Sequence, residues 1–263
     1  MSRPRFSAGT ASRYNYHLSF KKLPDAFSGF KIAHISDPHS KPASGIFEII
    51  KDACPDIIVV TGDLLNDDEK STAEIDELMA KLIENSPVYF TSGNHDLWRM
   101  DRKEIFRDYE NMGAVFMDNK TVLIEKDGEE IALSGAPDPF SRVPERIYEN
   151  TKESLDNLEK FDGFNVLLFH RANLFEQIKQ YGYDLILSGH MHGGQIRLPK
   201  IGGVLAPSSA MLSGTRMFFP KYTGGVVADK DATMIVNRGV GNTLPLPRLG
   251  NTPEVGIITL FKD

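Results

Sequence analysis

Side chains with oxygen or nitrogen ligand atoms follow five apolar stretches of this sequence, close to the point where each stretch ends. They are Asp37 and His39, Asp63, Asn94 and His95, His170, and His190 and His192. Carboxylates, imidazoles and an amide without thiolate suit divalent ions such as Mn, Fe or Zn. Because the candidate ligands outnumber the needs of one ion, the sequence predicts a centre that binds two divalent metal ions.

Any one of these residues, taken alone, is more often structural or solvated than a metal ligand. As a set they are better candidates for metal ligands, because all of them follow predicted strands. Five of the seven histidines in the chain belong to this set. Open α/β sheets bind their ligands at the carboxyl ends of their strands. We therefore expect these side chains to meet at one edge of the fold.

The stretch before Asp63 predicts a central strand of a parallel sheet. Residues 57–60 are four consecutive β-branched apolar residues, and Pro55 and Gly62 bound them. This pattern is typical of a strand that is buried on both faces. Asp63 follows it directly and is predicted to point into the site.

Similar strands are predicted at residues 30–37, 88–91, 165–170 and 184–188. Short strands are expected near residues 115–117, 122–126 and 130–134, and the chain is predicted to finish in strands at residues 225–228, 233–237 and 255–261. Apolar residues at helical spacing predict helices at residues 45–53 and 71–85. Helices are also predicted at residues 102–111 and 174–181, and a mostly polar surface helix at residues 145–159. The Asp127-Gly128 pair predicts a hairpin turn. Between about residues 189 and 225 the chain is rich in glycine and irregular.

Charge and composition exclude several classes of protein. The net charge of −6 provides no global positive field, so nucleic acid is an unlikely substrate. Cys54 is the only cysteine, which excludes an intrachain disulfide and a thiolate cluster. No G-x-x-x-x-G-K-[ST] or G-x-S-x-G motif is present, and Pro245 and Pro247 exclude the helix that a dinucleotide fingerprint at Gly239-Val240-Gly241 would need.

Residues 1–24 contain five basic residues and no acidic residue. We predict a solvated tail that leads into an edge strand, and the alternative is a weak contact with an anionic membrane. Residues 25–263 are predicted to form one domain. The single cysteine fits a reducing, cytoplasmic setting, and the sequence shows no apolar run long enough to span a bilayer. We therefore expect a cytoplasmic protein that is at most peripheral to the membrane, and the oligomeric state is left open.

The candidate ligands occur in motifs that resemble those of the calcineurin-like metallophosphoesterases, in the same order. These motifs are Asp37-Pro38-His39, Gly62-Asp63, Gly93-Asn94-His95-Asp96, His170, and Gly189-His190-Met191-His192. The resemblance covers about residues 30–262. It implies an α/β (α+β) fold, a four-layer αββα sandwich of two mixed β-sheets flanked by helices.

The resemblance also implies the ligand sets. One ion would be held by Asp37, His39, Asp63 and His192, and the other by Asp63, Asn94, His170 and His190. One carboxylate with two oxygens can serve two cations at the spacing where a shared hydroxide becomes nucleophilic. His95 would contact the phosphoryl oxygens or protonate the leaving group, and Asp96 would orient the ring of His95.

Together these features predict a dinuclear metal-dependent hydrolase that cleaves a phosphodiester or pyrophosphate bond through a metal-bridging hydroxide. Two alternatives stay open: a phosphomonoesterase of the same family, and a non-catalytic scaffold that binds protein. A scaffold usually loses ligands, and none is missing here.

A narrower resemblance covers residues 193–199, 237–241 and 253–254. They are similar to a bacterial, often membrane-associated subfamily that includes UDP-diacylglucosamine pyrophosphohydrolases. The expected substrate is a small-molecule or lipid-linked phosphoester, with Arg197 and Asp138 as candidate contacts. Apolar residues in segment 195–222, such as Phe218 and Phe219, form either an adaptable ligand wall or packing between the sheets.

Overall fold

A computed structural model describes residues 6–230 and 232–263. Arg3 and Arg5 of the predicted basic tail lie outside the described residues. The strands are β1 (Ser12–Phe20), β2 (Lys31–Ile35), β3 (Ile57–Thr61), β4 (Val88–Thr91), β5 (Val115–Phe116), β6 (Lys120–Lys126), β7 (Glu129–Gly135), β8 (Asn165–Arg171), β9 (Leu185–Gly189), β10 (Arg197–Leu198), β11 (Gly202–Gly203), β12 (Gly225–Ala228), β13 (Thr233–Val236) and β14 (Glu254–Lys262). The helices are α1 (Ile46–Ala53), α2 (Ala73–Asn85), α3 (Asn94–Trp98), α4 (Arg102–Met112), α5 (Pro144–Asp156), α6 (Phe175–Ile178) and α7 (Ser208–Met211).

Two six-stranded sheets form the centre of the fold. The first has the strand order β1-β14-β2-β3-β4-β5, and the second has the order β12-β13-β9-β8-β7-β6. Strands β2 to β5 are parallel, while β14 runs antiparallel to β2. In the second sheet β7, β8, β9 and β13 are parallel, and the outer strands β6 and β12 are antiparallel to their neighbours. Both sheets are therefore mixed, as predicted.

The apolar run in β3 serves two layers of the core. Ile58 and Val60 pack in the cluster that contains the buried residues of α1, α2 and α4. Ile57 and Val59 pack in a second cluster, which joins the two sheets face to face. Since neighbouring residues of a strand point to opposite faces, both faces of this strand must be apolar.

The helices complete the four layers. A third cluster joins α5, α6 and α7 to the outer face of the second sheet. Helix α2 buries Ile75, Leu78, Met79 and Leu82, the stripe that its spacing predicts. With α1, α2 and α4 on the first sheet and α5 to α7 on the second, the predicted αββα sandwich is confirmed.

Local elements follow their sequence signals with small differences. Asp127 and Gly128 both have positive φ, of 52° and 82°, as a tight hairpin turn requires, so the predicted hairpin is confirmed. The helix predicted at residues 174–181 is instead divided into α6 and flanking 3₁₀ turns. Across the described part of the chain, no helix combines the length and the apolar character that crossing a membrane requires.

Candidate metal centre

The loops after β2, β3, β4 and β9 and the end of β8 bring the predicted ligands together. Possible ligand atoms of Asp37, His39, Asp63 and His192 all lie within 4.8 Å of one another. The same holds for a second group formed by Asp63, His170 and His190. Asp63 belongs to both groups, so its carboxylate is placed where two cation positions would meet.

The first group has closely spaced donor atoms. His39 Nε2 lies 3.2 Å from His192 Nε2, and His192 Nε2 lies 3.4 Å from Asp37 Oδ1. His39 Nε2 is 3.7 Å from Asp63 Oδ2. All four side chains are buried, so a cation would be surrounded by protein ligands and little bulk water.

In the second group, the imidazole of His170 is held in a defined orientation. Alternation along β8 places His170 on the same face as Val166 and Leu168, which pack between the sheets. Its Nδ1 donates to the Thr61 carbonyl at 2.7 Å, which leaves Nε2 facing Asp63 Oδ2 at 3.2 Å. Burial would lower the pKa of His170, but Asp63 outweighs it and raises the pKa to about 10. Binding of a cation at Nε2 would release this proton.

The backbone of the site is strained at the ligands. The φ angles of Asp37, His39, Asp63, His190 and His192 are positive, between 47° and 71°. Such conformations are unfavourable for residues other than glycine and concentrate at functional sites. The glycine before Asn94 is required for a different reason: a Cβ on Gly93 would lie 2.3 Å from Asp63 Oδ1.

The donor set fits divalent cations. Both side-chain polar atoms of Asn94 are buried, as is Asp37 Oδ1, and no hydrogen bond to these atoms is made by the described residues. Uncompensated buried polar atoms are costly, and coordination of a cation would satisfy a carbonyl or carboxylate oxygen. Asn94 adjoins both groups, since the backbone N–H of the next residue, His95, donates to Asp63 Oδ1 at 2.7 Å.

His95 lies beside the ligands but in neither group. Its Nδ1 is 3.0 Å from Asp67 Oδ1, and its ring packs edge-on against His39 and at a tilt against Trp98. Burial would lower the pKa of His95, but the carboxylates of Asp63 and Asp67 outweigh it and raise the pKa. A raised pKa favours the protonated ring, the form that can donate a proton.

The prediction that Asp96 orients the ring of His95 is wrong. The Asp96 carboxylate accepts the backbone N–H groups of Gly93 and Leu65, both at 2.8 Å, and of Leu64 at 3.3 Å. Asp96 is the third residue of α3, so its side chain turns back to the amides at the start of the helix. It joins the loop after β3 to α3, and Asp67 takes the position beside His95.

We expect Asp67→Asn to lower kcat/KM by about tenfold, the approximate value of one charge-assisted hydrogen bond. Loss of the carboxylate lowers the pKa of His95, so the alkaline decline in activity should move to lower pH. A pH–rate profile measures this shift. Asp68→Asn is the matched control, because it makes the same change at the next residue, whose Oδ1 accepts a hydrogen bond from the side chain of Asn66. An unmoved alkaline limb in Asp67→Asn would show that Asp67 does not act through His95.

Asp138 has a structural partner, contrary to the expectation that it contacts substrate. Its two oxygens accept the Nε and Nη2 groups of Arg171 at 2.8 and 3.0 Å, and both side chains are fully buried. Arg171 also donates to the Ser209 carbonyl at 3.1 Å. Because Arg171 directly follows His170, this ion pair supports the end of β8 that carries the ligand.

Asp138→Ala should therefore destabilise the protein by about 3–5 kcal/mol, since it leaves the Arg171 charge buried without its partner. Urea unfolding measures this free energy. The double variant Asp138→Leu with Arg171→Met is the control and should lose less, because it removes both charges and keeps much of the volume. A single-variant loss below about 1 kcal/mol would contradict the structural role.

Two arginines lie in the loops after His192. The Nη1 of Arg197 donates to the carbonyls of Gly193 and Thr223 at 3.0 and 3.3 Å, so this predicted substrate contact holds the loop together, and its contact with substrate stays a prediction. Arg248, which the sequence did not single out, lies 3.4 Å from His192 Nδ1 and donates to the Gly241 carbonyl. Burial lowers the pKa of Arg248 to about 10, so it remains charged at neutral pH.

Comparison with known proteins identifies the family to which the chain belongs. The chain is 31% identical over 255 residues to the uncharacterized metallophosphoesterase YkuE of Bacillus subtilis, covering 90% of this chain and 81% of YkuE. It is 27% identical over 254 residues to the phosphodiesterase YaeI of Escherichia coli, covering 93% and 86% of the two chains. The sequence profile of the calcineurin-like phosphoesterases matches residues 30–194, which contain every predicted metal ligand. The chain thus belongs to the calcineurin-like phosphoesterase family.

Proposed function

We propose that the chain is a phosphodiesterase or pyrophosphohydrolase whose centre binds two divalent ions. The observation that carries this proposal is the position of Asp63, whose carboxylate is shared by two groups of buried ligands. The name of the relative YaeI, a phosphodiesterase, supports a diester over a monoester. When bound, two divalent ions activate water and neutralise charge on a phosphoryl group.

The side chains of the centre have separate tasks in this proposal. Asp63 would hold both ions, because its Oδ2 faces His39 of the first group at 3.7 Å and His170 of the second at 3.2 Å. His95, held by Asp67, donates a proton to the leaving-group oxygen or stabilises charge on the phosphoryl oxygens. No nucleophilic side chain is required, since water supplies the attacking oxygen.

Two alternative functions are distinguished by the experiment described below. A phosphomonoesterase would use the same centre with a terminal phosphate. A scaffold without activity is disfavoured because every predicted ligand is present and buried in the site. The open question is therefore the type of phosphoester bond.

The proposal is tested with protein that has been depleted by a chelator and reloaded with Mn²⁺. Rates are measured on bis-p-nitrophenyl phosphate, p-nitrophenyl phosphate and a UDP-sugar. We expect metal-dependent cleavage of the diester or of the pyrophosphate bond to exceed cleavage of the monoester. Preference for the monoester would establish the phosphomonoesterase reading, and no metal-dependent hydrolysis of any of the three would favour the scaffold.

A further inference from the structure

Large apolar side chains are exposed together in the segments that follow the last metal motif. Leu198, Ile201, Met217, Phe218, Phe219 and Leu249 are each between 42% and 63% exposed. Single exposed apolar residues are ordinary on a protein surface, but a cluster of them marks an interaction site. The alternative that Phe218 and Phe219 pack between the sheets is therefore wrong.

Backbone hydrogen bonds hold the segments that carry these residues next to one another. The N–H of Arg197, which precedes Leu198, donates to the Leu249 carbonyl at 2.9 Å. The N–H of Phe219 donates to the Val204 carbonyl at 2.8 Å, and β10 pairs with β11 across the turn that contains Ile201. We call the six residues, with the exposed Lys200, Arg216 and Lys221, the basic apolar surface.

The charge of this region is opposite to that of the whole chain. Residues 191–228 contain two arginines and two lysines and no aspartate or glutamate, whereas the net charge of the chain is −6. Lys200, Arg216 and Lys221 are exposed among the apolar side chains. The surface therefore offers apolar contact and positive charge at the same place.

The basic apolar surface adjoins the metal centre. The N–H of Leu249 donates to the Gln195 carbonyl at 3.4 Å, and the Gln195 side chain donates to the Leu246 carbonyl at 2.7 Å. Gln195 is three residues from the ligand His192. Arg248, directly before Leu249, lies 3.4 Å from His192 Nδ1. A partner on this surface would lie beside the site.

We propose that the basic apolar surface docks on an anionic lipid bilayer. A bilayer supplies an acyl layer for exposed aromatic and aliphatic side chains and anionic headgroups for lysine and arginine. A second copy of the chain is a poorer partner, because symmetric pairing would bring these cations together in a segment that contains no acid. This surface is distinct from the N-terminal segment, for which the sequence raised the possibility of membrane contact and in which β1 forms a sheet edge.

The test is co-sedimentation of the metal-loaded full chain with vesicles of phosphatidylcholine alone and of phosphatidylcholine mixed with phosphatidylglycerol. We expect binding to the anionic vesicles that weakens as salt is raised, and little binding to the neutral ones. Docking needs no turnover. A protein that fails to bind therefore leaves the phosphoesterase proposal intact, and an inactive protein that binds leaves docking intact.

Two sets of variants separate the apolar from the charged contribution. Phe218→Ser with Phe219→Ser should weaken binding by more than about tenfold. Lys200→Glu with Arg216→Glu should weaken it by at least about fivefold for each cation removed. Leu123→Ser and Lys120→Glu are matched controls at exposed positions of β6, an edge strand of the second sheet that is not part of the basic apolar surface, and should bind like the wild type.

Because all four substituted residues of the surface are exposed, the melting temperature of these variants should stay close to that of the wild type. Absence of binding to anionic vesicles at low salt would overturn the proposal. So would equal loss in the β6 controls. Sedimentation velocity tests whether a second copy of the chain binds this surface. A dimer that depends on Phe218 and Phe219, without vesicle binding, would assign the surface to such a dimer.

Discussion

Asp63→Ala is expected to lose both metal ions and, with them, essentially all phosphoester hydrolysis. The carboxylate of Asp63 is common to both groups of ligands, so its removal takes one ligand from each position. His39→Ala, by contrast, removes a ligand from one group only and should weaken mainly one ion. Metal content and turnover are measured on the same preparations.

The fold of the Asp63 variant requires a control. Asp63 has a φ of 51°, a conformation that alanine adopts less readily than asparagine. Asp63→Asn keeps one carbonyl oxygen and tolerates this backbone, so it should retain the wild-type melting behaviour while binding metal more weakly. If Asp63→Asn kept both ions and full activity, the shared carboxylate would not be the basis of the centre.

His95→Ala should lower kcat by about two to four powers of ten, the range of general acid catalysis or charge stabilisation, with metal content unchanged. Metal content should not change, because the backbone N–H of residue 95, which donates to Asp63 Oδ1, is kept in the alanine variant. A variant that is purified without metal would show that the imidazole is itself a ligand.

The leaving group distinguishes the two tasks of His95. If the ring donates a proton, the loss in His95→Ala should be small for a p-nitrophenolate leaving group, which needs little protonation, and large for an alkoxide. If the ring stabilises charge on the phosphoryl oxygens, both substrates should lose rate equally. Asp63 and Asp67 raise the pKa of His95 and so favour the protonated ring, the form that both tasks require, and the comparison of leaving groups separates them.

The sheets and the position of the ligands could be predicted from sequence because they depend on short patterns. Residues 57–60 are apolar at every position, and a strand between two packed layers needs both faces apolar. Asp63 then follows at the carboxyl end of the strand, where parallel sheets place ligands. Such patterns can be recognised in the sequence without knowledge of tertiary contacts.

The partners of the site residues could not be predicted, because they come from contacts across loops. Asp67 lies in a run of acidic residues, a pattern typical of a solvated surface, and only the fold brings it to His95. The family resemblance implied Asp96 as the partner of His95, yet the start of α3 directs its carboxylate to backbone amides. Arg171 and Asp138 are 33 residues apart and give no local sign of their ion pair.

The irregular segment after His192 shows a further limit. Its apolar residues have no helical or strand period, so the sequence could not decide between core packing and exposure. Exposure of 55% at Phe218 and 58% at Phe219 decides it. The role of Arg248 was also hidden, because a single arginine between prolines and glycines carries no pattern.

The central claim is that two ions share the Asp63 carboxylate, and metal analysis of fully active protein tests it most directly. Wild-type protein reloaded with Mn²⁺ is titrated while bound metal and hydrolysis of the preferred phosphoester are followed together. We predict that activity reaches its maximum only as the second ion binds, at about two ions per chain. Full activity with a single tightly bound ion per chain would contradict the account.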